Sequence, residues 1–204
     1  MEKEKFTPDF SFEKQGLHDG FHAVCGIDEA GRGPLAGPVF AAAVVLPLDC
    51  EIPGLNDSKK LTEKKREELF DIIIEKAEAF SVASASEKEI DEVNILQATF
   101  LAMNRAYAGL AVTPDLALID GNKEPGLPCT QRTIVKGDAR SMSIAAASIL
   151  AKVSRDRYML EMAKLYPEYQ FEKHKGYGTA LHYEMIREHG ISEIHRITFL
   201  KKMH

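Results

Sequence analysis

The sequence predicts an α/β protein in which a mixed five-stranded sheet is flanked by helices and followed by a helical extension at the C-terminus. Three observations lead there. Short apolar runs, partly β-branched, are bounded by Gly and Pro; stretches with apolar residues three and four apart stand between them; and the first two runs lie close enough to pair as a hairpin. With 204 residues, 45% of them hydrophobic and 28% charged, the chain has enough material for one buried core.

Residues 21–28 and 39–46 (VFAAAVVL) are the first two predicted strands, joined by GRGPLAGP. Thr62 is a candidate N-cap for an amphipathic helix carrying Leu69, Ile72, Ile73, Ala77 and Phe80 on one face. SVASAS (81–86) reads as a third, half-buried strand. Leu96, Phe100, Met103 and Tyr107 then place one helix within 90–110, ending near Gly109 and Pro114. DLALID (115–120) and RTIVK (132–136) are the last two strands, separated by a turn-rich stretch with Gly121, Pro125, Gly126 and Pro128. From Ser141 an Ala-rich segment predicts a long helix packed over the sheet on its alanine face and stopped by Pro167. HKGYGT (174–179) is a loop, and Thr179 caps a final helix through His189, ended by Gly190.

Composition narrows the function classes. The net charge of −5 is unevenly spread: residues 1–119 hold 12 basic against 21 acidic groups, whereas residues 120–204 hold 14 against 10, so the C-terminal part is locally basic and compatible with a polyanion. Cys25, Cys50 and Cys129 form no Cys-x-x-Cys and are odd in number, which predicts reduced thiols. The histidines show no zinc-ligand spacing. The charged N-terminus has no signal-peptide core and no 18-residue apolar run occurs, so a cytoplasmic protein without membrane attachment is expected. No apolar stripe is left over, and a monomer is expected.

The acids carry the chemistry. Asp28 and Glu29 close the first strand; alternation sends neighbours to opposite faces, so they share a site only if the strand ends or bends there, which the following glycines allow. Asp120 ends the fourth strand before Gly121, and Asp138 follows the fifth behind Gly137. Taken alone, a strand-end Asp before Gly is more often a turn former. Together, at one edge of an α/β sheet, where ligand sites gather, four carboxylates call for a hard divalent cation such as Mg²⁺. The loop GRGPLAG lacks the pattern of a phosphate cradle, and reads either as a plain turn or as bare backbone approaching a ligand, with Arg32 beside it. LNDSKKLT (55–62) is a solvated charge run or a phosphate contact, and Tyr177, between glycines, is a surface ring or a stacking platform. Lys152, Arg155 and Arg157 on the long helix are phosphate-tracking candidates or ordinary surface charges. His195 and Arg196 are expected to close the C-terminal segment onto the core.

In order from about Gly26 to Phe199, the stretches GIDEAGRGPLAGPV, LNDSKKLT, NILQAT, LIDGN, KGDARSMSIAAASILAKVSRD, HKGYGT and HRITF resemble the ribonuclease HII family, the bacterial type 2 ribonuclease H. Ribonuclease HIII, which departs from GRG, is a poorer match. The resemblance implies a ribonuclease H-like fold spanning 18–204 as a single catalytic domain, with 1–17 as a variable tail. It implies endonucleolytic cleavage of the RNA strand of RNA/DNA hybrids, and cleavage 5′ of single ribonucleotides embedded in duplex DNA, leaving 5′-phosphate and 3′-hydroxyl ends. Asp28, Glu29, Asp120 and Asp138 would be the catalytic carboxylates, holding two Mg²⁺ or Mn²⁺ ions. Gly31, Arg32, Gly33 and Tyr177 would read the RNA–DNA junction, and Ser58, Lys59 and Lys60 would contact phosphate. A partner in the replication machinery is left open. The rivals are a DNA-structure nuclease or integrase-like phosphoryl transferase using the same acids, and a hybrid-binding module without catalysis.

Overall fold

The computed structural model describes residues 7–201. Strands β1 (Val24–Ala30), β2 (Val39–Val45), β3 (Ala79–Ala85), β4 (Leu116–Asp120) and β5 (Thr130–Ile134) form one sheet in the order β3-β2-β1-β4-β5. β2 runs antiparallel to β1 and β3, and β1, β4 and β5 are parallel, so the sheet is mixed and opens with the expected hairpin. The helices are α1 (Ser11–His18), α2 (Glu63–Lys76), α3 (Glu87–Val93), α4 (Ile95–Ala108), α5 (Met142–Leu165), α6 (Phe171–His174), α7 (Ala180–His189) and α8 (Ile197–Leu200).

Both faces of the sheet are covered, which is why β2 reads as one continuous apolar run. Its Val39, Ala41, Ala43 and Val45 pack with Ala98, Ala102 and Met103 of α4, while Ala42 and Val44 pack with α5 and with Leu69 and Ile73 of α2. The alanines of α5 let its backbone descend onto β1. At Gly26 the approach is closest: a Cβ there would lie 2.2 Å from the carbonyl carbon of Ser143. Gly26→Ala is therefore expected to destabilise the fold by about 3 kcal/mol, read as a lower urea midpoint; an unchanged midpoint would contradict this packing. Thr62, Ser141 and Thr179 all cap helices, their hydroxyls accepting from the N–H groups of Lys65, Ile144 and His182. The C-terminal elements close a separate small core around Leu35, Met159, Phe171 and Ile194.

Four local expectations differ from the structure. α2 stops at Lys76, so Ala77 and Phe80 leave the helix; Glu78 N–H bonds the Val45 carbonyl and Phe80 pairs with Val44, sheet pairing overriding the helical spacing. The helix expected within 90–110 is two, broken at Asn94 (φ 72°), whose side-chain oxygen accepts from Leu96 and Gln97 N–H and so caps α4. β5 lies two residues earlier than RTIVK, and the chain turns away at Lys136 in a left-handed conformation. The stretch 1–17 read as a variable tail holds all but the last residue of a packed helix, α1: buried Glu13 accepts from the Ser141 hydroxyl (2.7 Å) and Ser143 N–H (2.9 Å), tying α1 to the start of α5. Residues 1–6 lie outside the described part. Among the described residues no helix is long and apolar enough to cross a membrane.

Candidate active site

Strand parity decides which acids meet. Cys25 and Ile27 of β1, with Ala117 and Ile119 of β4, face the α4 core, whereas Val24, Leu116 and Leu118 face Ile144 of α5. Asp28 and Asp120 stand one position beyond the paired Ile27 and Ile119, and so emerge together on the α5 face. The turn leading into α5 brings Asp138 to them: Asp120 Oδ1 accepts from Gly137 N–H (2.6 Å) and Asp138 N–H (3.4 Å). One carboxylate oxygen each from Asp28, Asp120 and Asp138 lies within 4.8 Å of the others.

Glu29 takes the other side. β1 does not bend after Asp28; it continues to Ala30, paired with Phe40, so Glu29 projects to the α4 face. There its Oε1 lies 3.4 Å from Arg32 Nη1, and the two line a small cavity with Asp120, Asn122 and Thr99. Asp120 thus belongs to the triad and also lines the cavity that Glu29 faces.

The charges are poorly compensated. Burial, then the charges of Glu29, Asp120 and Asp138, push the Asp28 carboxyl well above its ordinary range. Glu29 is raised by burial and by Asp120, against the pull of Arg32. Burial, followed by Asp120 and Asp57, pushes Asp138 up to about 6. Burial alone would lower Lys59, but Asp28, Asp138, Asp57 and Asp120 outweigh it and hold the ammonium charged; its Nζ lies 3.8 Å from Asp138 Oδ2. A set of three convergent carboxylates that repel one another in a low-dielectric site fits a hard divalent cation, which takes oxygen ligands and removes the repulsion.

The DSKK segment forms a 3₁₀ turn at Ser58–Lys60. Ser58 is buried, its hydroxyl bonded to that of Ser148 on α5 (2.8 Å), and Arg66 holds the Ser58 and Leu61 carbonyls. Lys59 and Lys60 are exposed. Asp57, which sequence reasoning passed over in favour of the lysines, accepts from Lys59 N–H (2.9 Å) and stands near enough to Asp138 for its charge to help raise that carboxyl. The signal was its place directly before Ser58.

Of the three phosphate-tracking candidates on α5, Arg155 is fully buried, so it does not run along a phosphate backbone; the helix face it occupies packs under the loops after β1 and α6. Lys152 pairs with Asp156 (2.6 Å), and Arg157 with Glu67. Tyr177, 41% exposed, has its ring edge 3.9 Å from where a Gly33 Cβ would stand, so the structure brings HKGYGT against Gly31-Arg32-Gly33. Buried histidines hold that loop. His174 Nδ1 accepts from Gly176 N–H (3.2 Å), and His182 Nδ1 bonds the Tyr177 carbonyl (3.0 Å). His182 Nε2 meets His195 Nε2 at 3.0 Å, and His195 Nδ1 accepts from Ser192 N–H (2.9 Å). One tautomer chain satisfies this: His195 donates from Nε2 to His182, which donates from Nδ1 to Tyr177.

The ribonuclease HII family model matches residues 25–203. The chain is similar to ribonuclease HII of Endomicrobium trichonymphae, 62% identical over 195 residues that cover 95% of this chain and 93% of that protein. It is likewise similar to ribonuclease HII of Caldicellulosiruptor bescii, 58% identical over 95% of this chain and 94% of the other. Among solved structures, ribonuclease H2 from Pyrococcus horikoshii OT3 superposes with a TM-score of 0.72 at 30% identity, covering 87% of this chain and 93% of that one. Bst-RNase HIII, solved in complex with Mn²⁺, shares the fold at TM-score 0.69 and 19% identity, over 89% of this chain and 68% of its own. With acids gathered at one sheet edge and a family match across nearly the whole chain, this protein belongs to the ribonuclease HII family and is a nuclease of the ribonuclease H class.

Proposed function

We propose that this nuclease hydrolyses the RNA strand of RNA/DNA hybrids and cuts 5′ of single ribonucleotides embedded in duplex DNA, leaving 5′-phosphate and 3′-hydroxyl ends. The observation that carries this is the convergence of Asp28, Asp120 and Asp138 at the sheet edge that also bears the glycine loop, with Tyr177 beside it. These three acids, with Glu29 across the β1 edge, would hold two Mg²⁺ or Mn²⁺ ions, which when bound supply an activated water and stabilise the leaving oxygen. Asp120 fixes the Asp138 turn through two N–H groups, setting the spacing of the ligand oxygens. Lys59, exposed beside Asp138, meets the phosphate, and Lys60 lies next to it, while Ser58, spent on Ser148, holds the turn that presents them. The 2′-hydroxyl is what distinguishes RNA from DNA, and the backbone of Gly31-Arg32-Gly33 can approach it where side chains would block. Tyr177 offers its ring to the neighbouring sugar.

A panel of duplexes tests this: all-DNA, DNA with one ribonucleotide, and an RNA/DNA hybrid, each with and without Mg²⁺ or Mn²⁺. Cutting is expected only where both ribonucleotide and metal are present; cleavage of the all-DNA duplex would refute the reading. Tyr177→Ala is expected to raise KM on the single-ribonucleotide duplex about tenfold, the scale of one lost stacking contact, with a smaller effect on the hybrid. Equal losses on both would contradict junction reading.

A further inference from the structure

Beneath the two loops assigned above to substrate lie two arginines with no solvent exposure, Arg155 of α5 and Arg196 just before α8. Arg196 donates from Nη2 to the Gly31 carbonyl (2.6 Å), from Nη1 to Arg32 (3.0 Å) and from Nε to Gly37 (2.8 Å). Arg155 donates from Nε to Pro38 (3.2 Å) and from Nη2 to both Ala36 and Lys175 (3.1 Å each), so it holds the loop after β1 and the HKGYGT loop at once. Its guanidinium carbon is also 5.6 Å from the centroid of the Tyr177 ring. Of the nitrogens of these two guanidinium groups, Arg155 Nη1 alone is left without a hydrogen-bond partner.

Burying a guanidinium costs several kcal/mol, and an apolar side chain could fill the same volume. What the arginines add is the orientation of peptide groups. In a trans peptide the carbonyl of one residue and the N–H of the next point in opposite directions. With the Gly31 and Arg32 carbonyls turned inward to Arg196, the N–H groups of Arg32 and Gly33 face away from it. Gly31 has φ 97°, and a Cβ on it would lie 2.1 Å from Arg155 Nε, so loop and arginine leave each other no slack. The loops also join directly, Leu35 N–H donating to the Gly176 carbonyl (2.8 Å) and Arg196 N–H to the Leu35 carbonyl (2.8 Å).

We propose that Arg155 and Arg196 are positioning residues that set the peptide orientation of Gly31-Arg32-Gly33 and lock that loop to Tyr177, so that ribonucleotide selectivity depends on two side chains that never touch the substrate. This rests on the reading of those loops given under the proposed function.

The test uses the full chain with Mg²⁺. For Arg155→Lys and Arg196→Lys, kcat and KM are measured on the single-ribonucleotide duplex, and amide hydrogen exchange is followed in residues 31–38 and 174–179. Lysine keeps the charge but cannot reach three divergent carbonyls. KM is expected to rise at least tenfold with kcat within about threefold of the parent. Exchange should quicken in both loops for Arg155→Lys. Folded variants with unchanged KM and unchanged loop exchange, or with only a lower unfolding midpoint, would overturn the proposal. Should the lysine variants not fold, Gly176→Ala decides: its φ is 83° and its Cβ would lie 2.5 Å from the Ala36 carbonyl oxygen, wedging the loops apart with both arginines in place. The same rise in KM is expected there, and an unchanged KM overturns the coupling. Tyr177→Ala separates the two levels. If it leaves KM unchanged, the loop reading itself has failed; if it raises KM and the other variants do not, the positioning role alone has failed.

Discussion

Asp28→Asn should lower turnover of a ribonucleotide-containing duplex about 10³-fold or more, while making the metal-free protein harder to unfold. The two effects share one cause. Asp28 is nearly fully buried, and its charge is opposed by burial and by Glu29, Asp120 and Asp138. Without a cation, its ionised form destabilises the fold, because a carboxyl whose folded pKa is raised loses stability as pH rises through the range between its unfolded and folded values. An amide removes the charge and can still accept the Glu29 N–H that Asp28 Oδ1 accepts at 2.7 Å. Each kcal/mol of repulsion relieved should raise the midpoint by about 2–4 °C. The same substitution takes the negative charge from one of the three convergent carboxylates proposed to hold metal, and several kcal/mol of transition-state stabilisation is expected to go with it. Melts with and without Mn²⁺ check this: the variant should melt higher than the parent without metal and lose the parent's metal-induced shift. A variant that turns over normally would remove Asp28 from the site.

The buried histidines give the second large effect, with the opposite sign in pH. Burial, then the neighbouring imidazole of His174 or His182, pushes His182 and His195 each down to about 4. A histidine neutral in the fold and protonated when unfolded draws the equilibrium toward the unfolded state as pH falls from about 6.5 toward 4. Stability should drop by about 1.4 kcal/mol per pH unit for each such histidine in that window. The carboxylates with raised values pull the other way over part of the same range, so the contribution is isolated as a difference between the parent and His195→Gln. Glutamine can accept the Ser192 N–H and donate toward His182 while carrying no titrating ring. Between pH 7 and pH 4.5 the parent should lose about 2–3 kcal/mol relative to the variant in urea unfolding. A difference that does not change with pH would show that His195 titrates alike in both states.

The four candidate acids stood out at predicted strand ends, Asp120 and Asp138 beside glycine and Asp28 and Glu29 shortly before Gly31, a local signal needing no knowledge of the rest of the chain. Glu29 shows where such signals stop. Whether it joins Asp28 depends on whether β1 bends, and that is settled by the pairing of Ala30 with Phe40 across the hairpin. The arginines of α5 were indistinguishable in the segment SRDRY. Arg155 is buried and Arg157 half-exposed because two positions on a helix differ by about 200° in azimuth, and only one direction meets the loops after β1 and α6. The helix at 11–18 was missed because its burial rests on Glu13, a charged residue that finds its partners 128 and 130 positions away.

By itself the sequence determined the five strands in their order, the main helices between them, the family they belong to and the acids at the strand ends, because caps, breakers and short motifs act over a few residues. Tertiary structure alone decided which acids converge, that Asp57 stands beside them, and that two arginines lie beneath the Gly31-Arg32-Gly33 and HKGYGT loops rather than along the surface. Strand parity and helix azimuth are relative quantities: they acquire a meaning only when another element supplies the face to point at.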